Sequence, residues 1–309
     1  MRRSLAFLCG VAALIVATPA QGQIARRVVV IGIDGLGAYT PRPSENPSLD
    51  GLRKRGAWTM HARGVMPTSS SPNWASMIMG AGPEQHGVTS NDWEPDAFDI
   101  PPSVSGPGAI FPTIFSLLRE QRPSAKIGCF HDWDDFGRLL ERKAVDRIED
   151  GDGPDDTVAR AVRYIRSDEP DFLFVQLDHV DHTAHERGYG TKEFYTAVAQ
   201  ADRLIGDLLG ALEEAGILDE TAVLVTADHG FPNGSKKHGG NTPAELEITW
   251  MVAGPGVRAG HEIETPVNTF DTAATIAWIF QLDPPEAWLG RPVLEAFDES
   301  AARTSAQRR

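Results

Sequence analysis

The chain has 309 residues and a formal net charge of -14, from 43 acidic side chains against 29 lysines and arginines. A chain this acidic repels the phosphates of nucleic acids, so we expect neither sequence-independent nor sequence-specific nucleic-acid binding. Two cysteines, Cys9 and Cys129, are too few for a scaffold held together by disulfides.

Residues 1–22 have the pattern of a secretory signal peptide. Two arginines are followed by an apolar run that ends in small residues at Ala20, after which cleavage is expected. The run is too short for a membrane anchor, so we predict export to the periplasm or the extracellular space, without a membrane span after cleavage. Residues 23–309 would form a single catalytic domain. Cys129 alone would remain there, so a large core or bound metal must hold the domain.

Predicted strands and helices alternate along the chain. Branched apolar runs, which suit strands buried on both faces, lie at 26–33, 126–130, 171–177, 221–226 and 247–253. Helical apolar spacing, often with proline at the start or glycine at the end, lies at 46–56, 72–80, 113–121, 156–167, 191–215 and 269–280. Dense proline, glycine and acidic residues predict small loop insertions near 93–112 and 131–156.

This alternation predicts the α/β class, with a doubly wound, mainly parallel central sheet and helices on both faces. Ligands of such sheets bind outside the carboxyl ends of the strands. Asp34, the segment 178–181 and Asp228 all come just after predicted strands. We therefore expect these carboxylates to gather at one edge of the sheet.

Three consecutive serines, Ser69 to Ser71, precede Pro72, which we predict to be the first residue of the helix at 72–80. Serine before a helix is most often a simple cap of the helix N-terminus. A hydroxyl at this position also faces free N–H groups that favour a phosphate. The stretch is either an ordinary cap or the loop of a nucleophile.

Several Asp and His residues have spacings that suit metal ligands. Asp228 and His229 are adjacent at a strand end, and Asp181 and His185 would share one face if this segment is helical. His238 is followed by two glycines. Each feature also has an ordinary interpretation: a turn with a surface histidine, a charged helix surface, or a mobile loop.

Together with Asp34, these side chains offer three aspartates and three histidines, a mixed oxygen and nitrogen set that suits two divalent ions. Because no cysteine accompanies them, zinc is favoured, with manganese or iron as alternatives. Two ions about 4 Å apart would contact both the attacking and the leaving oxygen of an in-line displacement.

Six short motifs, in their order and spacing, carry a resemblance over nearly the whole mature chain. They are Ile31-Gly-Ile-Asp34-Gly35, Met66-Pro-Thr-Ser-Ser70-Ser-Pro-Asn73, Gly82-Pro-Glu-Gln-His-Gly-Val-Thr-Ser-Asn91, Asp181-His-Thr-Ala-His185-Glu-Arg-Gly188, Thr226-Ala-Asp228-His229-Gly230 and His238-Gly-Gly-Asn-Thr-Pro-Ala-Glu-Leu246. Through them the chain resembles the alkaline phosphatase superfamily and, within it, the type I phosphodiesterase/nucleotide pyrophosphatase-like family.

The resemblance implies a role for each motif. One ion would be held by Asp181, His185 and His238. A second ion would be held by Asp34, Asp228, His229 and the nucleophile. The frame Pro-Thr-x-Ser-x-Pro-Asn implies that the nucleophile is Ser70, where members of this branch often carry threonine. Asn91 matches the asparagine that donates to a non-bridging phosphate oxygen.

The implied activity is metal-dependent hydrolysis of a small phosphoric ester through a phosphoserine on Ser70. In resembling monoesterases an arginine or lysine commonly contacts the phosphate, and no arginine stands in the matching place, which favours a diester. Lys236, Lys237 or Arg138 could reach the site from loops. A phosphomonoesterase and a phosphonate monoester hydrolase are therefore alternatives, and a catalytically inactive binding module is a less favoured one.

Sulfatases share the superfamily but need Ser or Ala and then Arg after the proline of the nucleophile motif. Here Asn73 and Trp74 stand in those places, so the motif for formylglycine maturation is absent.

Residues to which the resemblance assigns no role have weaker signals. We expect His86 to be structural, whereas His179 and His182 either support the ligands or lie on the surface. The segment 131–134 could line the pocket. Aromatic side chains that could stack a nucleobase lie in the predicted loops, at Trp93, Phe98, Trp133 and Phe136. The oligomeric state stays open.

Overall fold

The computed structural model describes residues 24–38, 46–299 and 301. The predicted signal peptide at 1–22, with its cleavage after Ala20, lies outside the described residues. Within the described part of the chain, no helix is both long enough and apolar enough to cross a membrane.

The described strands form one sheet at the centre of the fold. They are β1 (Arg27–Ile33), β2 (Gly56–Arg63), β3 (Ile127–His131), β4 (Arg147–Asp150), β5 (Phe172–Leu177), β6 (Thr221–Thr226), β7 (Glu247–Ala253) and β8 (His261–Glu262). Their spatial order is β4-β3-β5-β1-β6-β7-β2-β8. Neighbouring strands are parallel, except that β7 is antiparallel to both β6 and β2.

Strand β1 lies in the middle of the sheet because its branched side chains can be buried on both faces. All of its residues are buried, and its backbone pairs with β5 on one side and β6 on the other. Ile33 pairs with Leu177, and Gly32 pairs with Thr226. The residues that follow β1, β5 and β6 therefore emerge side by side at one edge of the sheet.

Helices surround the sheet. They are α1 (Pro47–Arg55), α2 (Ser70–Met79), α3 (Pro83–His86), α4 (Ile114–Gln121), α5 (Pro154–Asp168), α6 (His179–Arg187), α7 (Lys192–Glu214), α8 (Pro243–Leu246) and α9 (Asp271–Phe280). Short 3-10 turns lie at Pro107–Ala109, Asp134–Leu139, Arg142–Ala144, Leu218–Glu220 and Leu294–Ala296. The longer helices form two groups by their contacts, α1, α5, α6 and α7 in one and α2, α4 and α9 in the other.

The two helix groups lie on opposite faces of the sheet. Tyr164 of α5 lies against Gly128 in β3, and Trp74 of α2 lies against Gly32 in β1. On β5, Gly128 pairs with Leu173 and Gly32 pairs with Gln176, and these two partners are three positions apart. Because side chains alternate between faces along a strand, α5 and α2 cover different faces. The predicted doubly wound, mainly parallel α/β fold is confirmed.

Three strands, β2, β4 and the two-residue β8, lie where the sequence predicts none. β2 is buried at its start and partly exposed towards its end, with a bulge between Thr59 and Ala62, so its apolar signal is weak. β4 is a charged edge strand inside the predicted acidic loop and is held by pairing with β3. The rest of the predicted insertions, at 93–112 and 131–156, is mainly irregular chain with the short turns given above.

Candidate active site

Helix α2 begins at the middle serine of the triplet, Ser70, and not at Pro72. Ser69 is the capping residue, with an extended backbone (φ -113°, ψ 157°), and Pro72 is the third helical residue. Proline fits there because the first four N–H groups of a helix have no partner within the helix. The predicted helix start at Pro72 is therefore wrong by two residues, and the hydroxyl of Ser70 belongs to the first turn.

The side chain of Asn73 holds the loop that leads into α2. Its Oδ1 accepts a hydrogen bond from the backbone N–H of Val65 at 2.6 Å. Its Nδ2 donates to the carbonyl oxygens of Val65, Pro67 and Ser69 at 3.3, 3.2 and 2.9 Å. One buried amide thereby fixes the path of the chain just before Ser70.

The three serines have different surroundings. The Oγ of Ser70 lies 3.3 Å from Nε2 of His229 in a buried position. The Oγ of Ser71 is buried and has no hydrogen-bond partner among the described residues. Ser69 is half-buried at the helix cap. Of the three, the structure brings Ser70 to the predicted metal ligands.

Asp34, Asp228 and His229 converge beyond the ends of β1 and β6. The Nε2 of His229 lies 3.3 Å from Oδ1 of Asp34 and 3.2 Å from Oδ2 of Asp228. All three side chains are fully buried, and one ligand atom from each lies within 4.8 Å of the others. The same nitrogen faces the Oγ of Ser70, so the four residues predicted around the second ion lie together.

Asp181, His185 and His238 form a second group beside the first. Helix α6 places Asp181 and His185 one turn apart, with Oδ2 of Asp181 3.2 Å from Nε2 of His185. The Nε2 of His238 lies 3.6 Å from Oδ1 of Asp181 and 3.1 Å from Nε2 of His185. His229 lies between the two groups, because its ring stacks on that of His238 with centroids 3.7 Å apart.

The backbone orients the histidine rings. The Nδ1 of His185 lies 2.8 Å from the carbonyl oxygen of Lys236, and that of His238 lies 2.7 Å from the carbonyl oxygen of Thr68. An Nδ1–H that donates to a carbonyl leaves the lone pair on Nε2, the atom that faces the aspartates. This arrangement is the usual support for a histidine that binds a metal ion.

The site carries buried negative charge that its histidines only partly offset. Oδ1 of Asp34, Oδ1 of Asp181 and Oδ2 of Asp228 are buried without hydrogen-bond partners among the described residues. Burial and the charge of Asp34 raise the pKa of Asp228. Burial would lower the pKa of His229, but the charges of the neighbouring aspartates outweigh it and raise the pKa to about 10.

No lysine or arginine in the described ranges forms an ion pair with these three carboxylates; their charged partners are histidines. Isolated buried carboxylates are costly unless paired or bound to metal. The donor set, three carboxylates and three imidazoles, therefore fits divalent cations.

Asn91 lies beside the first turn of α2. Its Oδ1 accepts a hydrogen bond from the backbone N–H of Ser71 at 2.9 Å, which leaves Nδ2 as the donor that could meet a phosphate oxygen. The guanidinium of Arg138 donates to the backbone carbonyl of Asn91 and, at 2.7 Å, to Glu94. The side chain and the backbone of Asn91 are both held.

One half-buried acid at the site received no role from the sequence. A carboxylate oxygen of Asp178 lies within 4.8 Å of ligand atoms of Asp34 and Asp181. Burial and then the charges of these two residues raise the pKa of Asp178 to about 9. Its backbone N–H donates to Oδ1 of Asp132 at 2.6 Å, so the segment 131–134 reaches the site through Asp132. The position of Asp178 directly after β5 is the signal that could have found it.

Sequence reasoning also missed apolar and amide side chains around the ligands. The Nε1 of Trp74 donates to Oδ2 of Asp34 at 3.0 Å, and Nε2 of Gln176 lies 3.5 Å from the same oxygen. The ring of Phe231 packs edge-on against three histidine rings, those of His185, His229 and His238. In sequence, Trp74 and Phe231 look like ordinary core residues.

The other histidines near the ligand motifs do not contact the ligands. His179 is largely buried, with Nε2 3.1 Å from the carbonyl oxygen of Ala197. His182 is exposed on α6, with Nε2 3.4 Å from Glu186. The first supports the packing of α6 on α7, and the second lies on the surface.

Two of the four loop aromatics cannot stack a nucleobase in this conformation. Trp93 and Phe136 are buried in the core. Phe98 is 41% exposed, and Trp133 is half-buried against the core. Phe98 and Trp133 are the two that keep accessible surface.

His86 belongs to a chain of buried hydrogen bonds. The backbone N–H of Val88 donates to Nδ1 of His86 at 3.0 Å, so Nε2 carries the proton and lies 2.9 Å from Oγ of Ser76. That hydroxyl donates to the carbonyl oxygen of Pro72 at 2.8 Å. His86 thus connects α3 to α2, which agrees with the predicted structural role.

Replacing His86 is expected to change the pH dependence of stability. Burial lowers its pKa from 6.5 to about 3, so between these values the unfolded chain binds a proton that the native chain does not. The free energy of unfolding should therefore decrease as the pH is lowered through this window, with a contribution of up to about 1.4 kcal/mol per pH unit. His86→Gln should flatten that slope in urea unfolding measured from pH 7 to pH 4. His182→Gln is the exposed control, and an equal slope in both variants would contradict the assignment.

Comparison with known proteins supports a family assignment. Residues 28–272 match the family described as type I phosphodiesterase / nucleotide pyrophosphatase. Mouse ectonucleotide pyrophosphatase/phosphodiesterase family member 1 is 22% identical over 201 residues, which cover 62% of this chain and 22% of that protein. The chain thus spans about a fifth of the length of this relative.

Solved structures share the fold. Murine ectonucleotide pyrophosphatase/phosphodiesterase 5 superposes with a TM-score of 0.70 at 16% identity, covering 84% of this chain and 96% of that chain. A mutant of the alkaline phosphatase PafA superposes with a TM-score of 0.70 at 13% identity, covering 89% of this chain and 99% of that chain.

Sulfatases are also similar over shorter stretches. Three of them match 24%, 31% and 36% of this chain. The two residues after Pro72 depart from the sulfatase motif: Asn73 holds the loop that leads into α2, and Trp74 contacts Asp34. The family match covers most of the chain and confirms the resemblance found in the motifs. The chain belongs to the type I phosphodiesterase / nucleotide pyrophosphatase family.

Proposed function

We propose that the chain is a metal-dependent hydrolase of small phosphoric diesters that acts through a phosphoserine on Ser70. The position of its Oγ carries the proposal, since it lies 3.3 Å from Nε2 of His229, the nitrogen that two buried aspartates also approach. Serine is a weak nucleophile until a base or a metal ion activates it, and this hydroxyl lies among predicted metal ligands.

Two divalent ions would be held at the site. The ligands of the first would be Asp181, His185 and His238. The ligands of the second would be Asp34, Asp228, His229 and Ser70. Zinc is favoured for nitrogen and oxygen ligands of these types, with manganese or iron as alternatives. When bound, the ions would lower the pKa of the attacking hydroxyl and neutralise charge on the transferring phosphoryl group.

The residues of the chain would then act in two steps. The Oγ of Ser70 forms a bond to phosphorus while the bond to the leaving oxygen breaks. The proton of the hydroxyl passes to water as this happens, and the leaving alkoxide takes a proton from water to become the alcohol. A water molecule next cleaves the phosphoserine, which releases the phosphate product and restores the hydroxyl.

Asn91 would bind the phosphoryl group during both steps. Its Oδ1 is held by the N–H of Ser71, so Nδ2 can donate to a non-bridging oxygen. The sequence also predicts N–H donors from a helix that starts at Pro72. Because the N–H of Ser71 is already used and Pro72 has none, the first turn of α2 would contribute the N–H of Ser70 and the helix dipole.

A diester is favoured because two of the three candidate cations, Arg138 and Lys236, are engaged elsewhere. The guanidinium of Arg138 is bound to Asn91, Glu94 and Asp135. The Nζ of Lys236 donates to the carbonyl oxygen of Glu186 at 2.8 Å. A dianionic monoester needs more positive charge than a monoanionic diester. The nucleotide pyrophosphatase name of the relatives makes nucleotide pyrophosphates the first natural diesters to test, on a chain that we propose to be exported.

Hydrolysis of model esters distinguishes the candidate functions. We expect turnover of bis-p-nitrophenyl phosphate to exceed that of p-nitrophenyl phosphate, and EDTA to suppress both, with recovery on adding zinc. Release of p-nitrophenol measures each rate. Preference for the monoester would support a phosphomonoesterase, the second candidate. Preference for p-nitrophenyl phenylphosphonate would support a phosphonate monoester hydrolase. No turnover of any ester by metal-loaded protein would indicate an inactive binding module.

A further inference from the structure

We propose that Trp74 is a positioning residue that fixes the carboxylate of Asp34 relative to Ser70. Trp74 lies one helical turn after Ser70 in α2, so both side chains are on the same side of the helix. Its indole Nε1 donates to Oδ2 of Asp34 at 3.0 Å. One short helix segment therefore carries the proposed nucleophile and also holds a proposed ligand of the second ion.

The hydrogen bond from Trp74 gives the two carboxylate oxygens of Asp34 different surroundings. Oδ2 is bound by the indole, with Gln176 at a longer 3.5 Å. Oδ1 has no hydrogen-bond partner among the described residues and lies 3.3 Å from Nε2 of His229. With Oδ2 held, the carboxylate cannot rotate freely, and Oδ1 faces the place where the second ion would bind.

The indole itself has no freedom to move away. It is fully buried and packs edge-on against Phe136 and Phe174, with ring centroids 5.7 and 6.2 Å apart. It also lies on the backbone of β1 at Gly32, where an added Cβ would be 2.5 Å from two ring carbons. Gly32 precedes Asp34 by two residues, so the glycine allows the ring to approach the strand that carries the acid.

Partners that orient a metal ligand typically affect metal affinity by about 10- to 100-fold when they are removed. Phenylalanine in place of Trp74 would keep an aromatic ring in the core and delete the N–H donor. The carboxylate of Asp34 would then gain rotational freedom, and a strongly bound second ion would need to restrict it again. The expected loss is in affinity for that ion and in the alignment of Ser70, with little change in substrate binding.

The proposal rests on the proposed function for the identity of the metal site. The experiment measures metal affinity separately from turnover. Metal-free wild type, Trp74→Phe and Trp250→Phe are titrated with Zn²⁺ against a competing chelator. Trp250 is the matched control, because it is also fully buried and its Nε1 donates to Thr272 Oγ1 at 3.1 Å, in contact with no proposed ligand. We expect Trp74→Phe to bind the weaker of the two ions roughly 10- to 100-fold less tightly, and Trp250→Phe to match wild type.

Kinetics and a second variant complete the test. In Trp74→Phe at saturating zinc, kcat should fall while KM stays near the wild-type value. Gly32→Ala keeps the indole N–H but displaces the ring, and should weaken the same ion. Equal zinc affinity in Trp74→Phe and Trp250→Phe would overturn the role of Trp74, as would a wild type that binds no zinc. A wild type that binds two ions and hydrolyses no ester would reject the proposed function, and the affinity comparison would still decide the role of Trp74.

Discussion

Ser70→Ala is expected to lower turnover of a phosphodiester by a factor on the order of 10³ to 10⁶, because no covalent intermediate can form without the hydroxyl. The protein should stay folded, since an alanine methyl fits within the space of the serine side chain. It should also stay metal-loaded, because six other ligands remain. Initial rates, circular dichroism and zinc content by mass spectrometry measure the three outcomes on one preparation.

The neighbouring serines provide matched controls for this result. Ser71→Ala removes a hydroxyl that is buried without a hydrogen-bond partner among the described residues, so neither stability nor turnover should fall. Ser69→Ala changes the capping residue of α2, whose side chain makes no capping hydrogen bond, and should have a small effect on both. Wild-type rates in Ser70→Ala would reject Ser70 as the nucleophile and direct attention to whichever control loses activity.

The sheet and the placement of its acids were accessible from the sequence because local pattern determines them. The branched run of β1 can be buried on both faces, and a strand of this kind belongs in the middle of a parallel sheet. Once β1, β5 and β6 are parallel neighbours, Asp34 and Asp228 must emerge at one edge. The same reasoning applies to Asp181, although a helical turn in α6 was needed to bring its carboxylate back towards the others.

Features that depend on contacts between distant segments could not be predicted from the sequence. β2 carries polar, partly exposed residues and is a strand because β7 pairs with it. The start of α2 depends on how Asn73 binds the preceding loop, which places Pro72 in the third helical position. The contact of Trp74 with Asp34 joins residues 40 positions apart, and no local pattern encodes it. In a sequence, a buried aromatic residue that binds a carboxylate looks the same as one that only packs in the core.

The charge balance explains why the site should depend on metal for more than catalysis. Asp34 and Asp228 lie 3.3 and 3.2 Å from Nε2 of His229, and Asp181 adds a third carboxylate 3.8 Å from the same nitrogen. Hydrophobic burial of the strands brings these acids together, and their mutual repulsion opposes it. Divalent ions that bind the folded chain better than the unfolded chain would stabilise the fold by linkage. Metal binding and folding are thus expected to be coupled.

Asp181→Ala and His238→Ala are each expected to remove one zinc ion per chain at moderate zinc concentration and nearly abolish turnover. Each variant deletes a direct ligand of the proposed first ion, whereas loss of a mere supporting contact already costs about 10- to 100-fold in affinity. In His238→Ala, Asp181 and His185 would remain as two protein ligands, too few for a tight site. Zinc content after dialysis against a weak chelator measures the effect, and ester hydrolysis at high zinc tests for recovery.

His182→Ala is the matched control, because this histidine is on the same helix as Asp181 but exposed, with its ring beside Glu186. It should keep both ions and full turnover. Unchanged zinc content in Asp181→Ala and His238→Ala would contradict the first site, even if turnover fell. Loss of both ions in either variant would have a different meaning. His229 stacks on His238 and lies 3.8 Å from Asp181, so the two sites would then bind cooperatively through this shared ring.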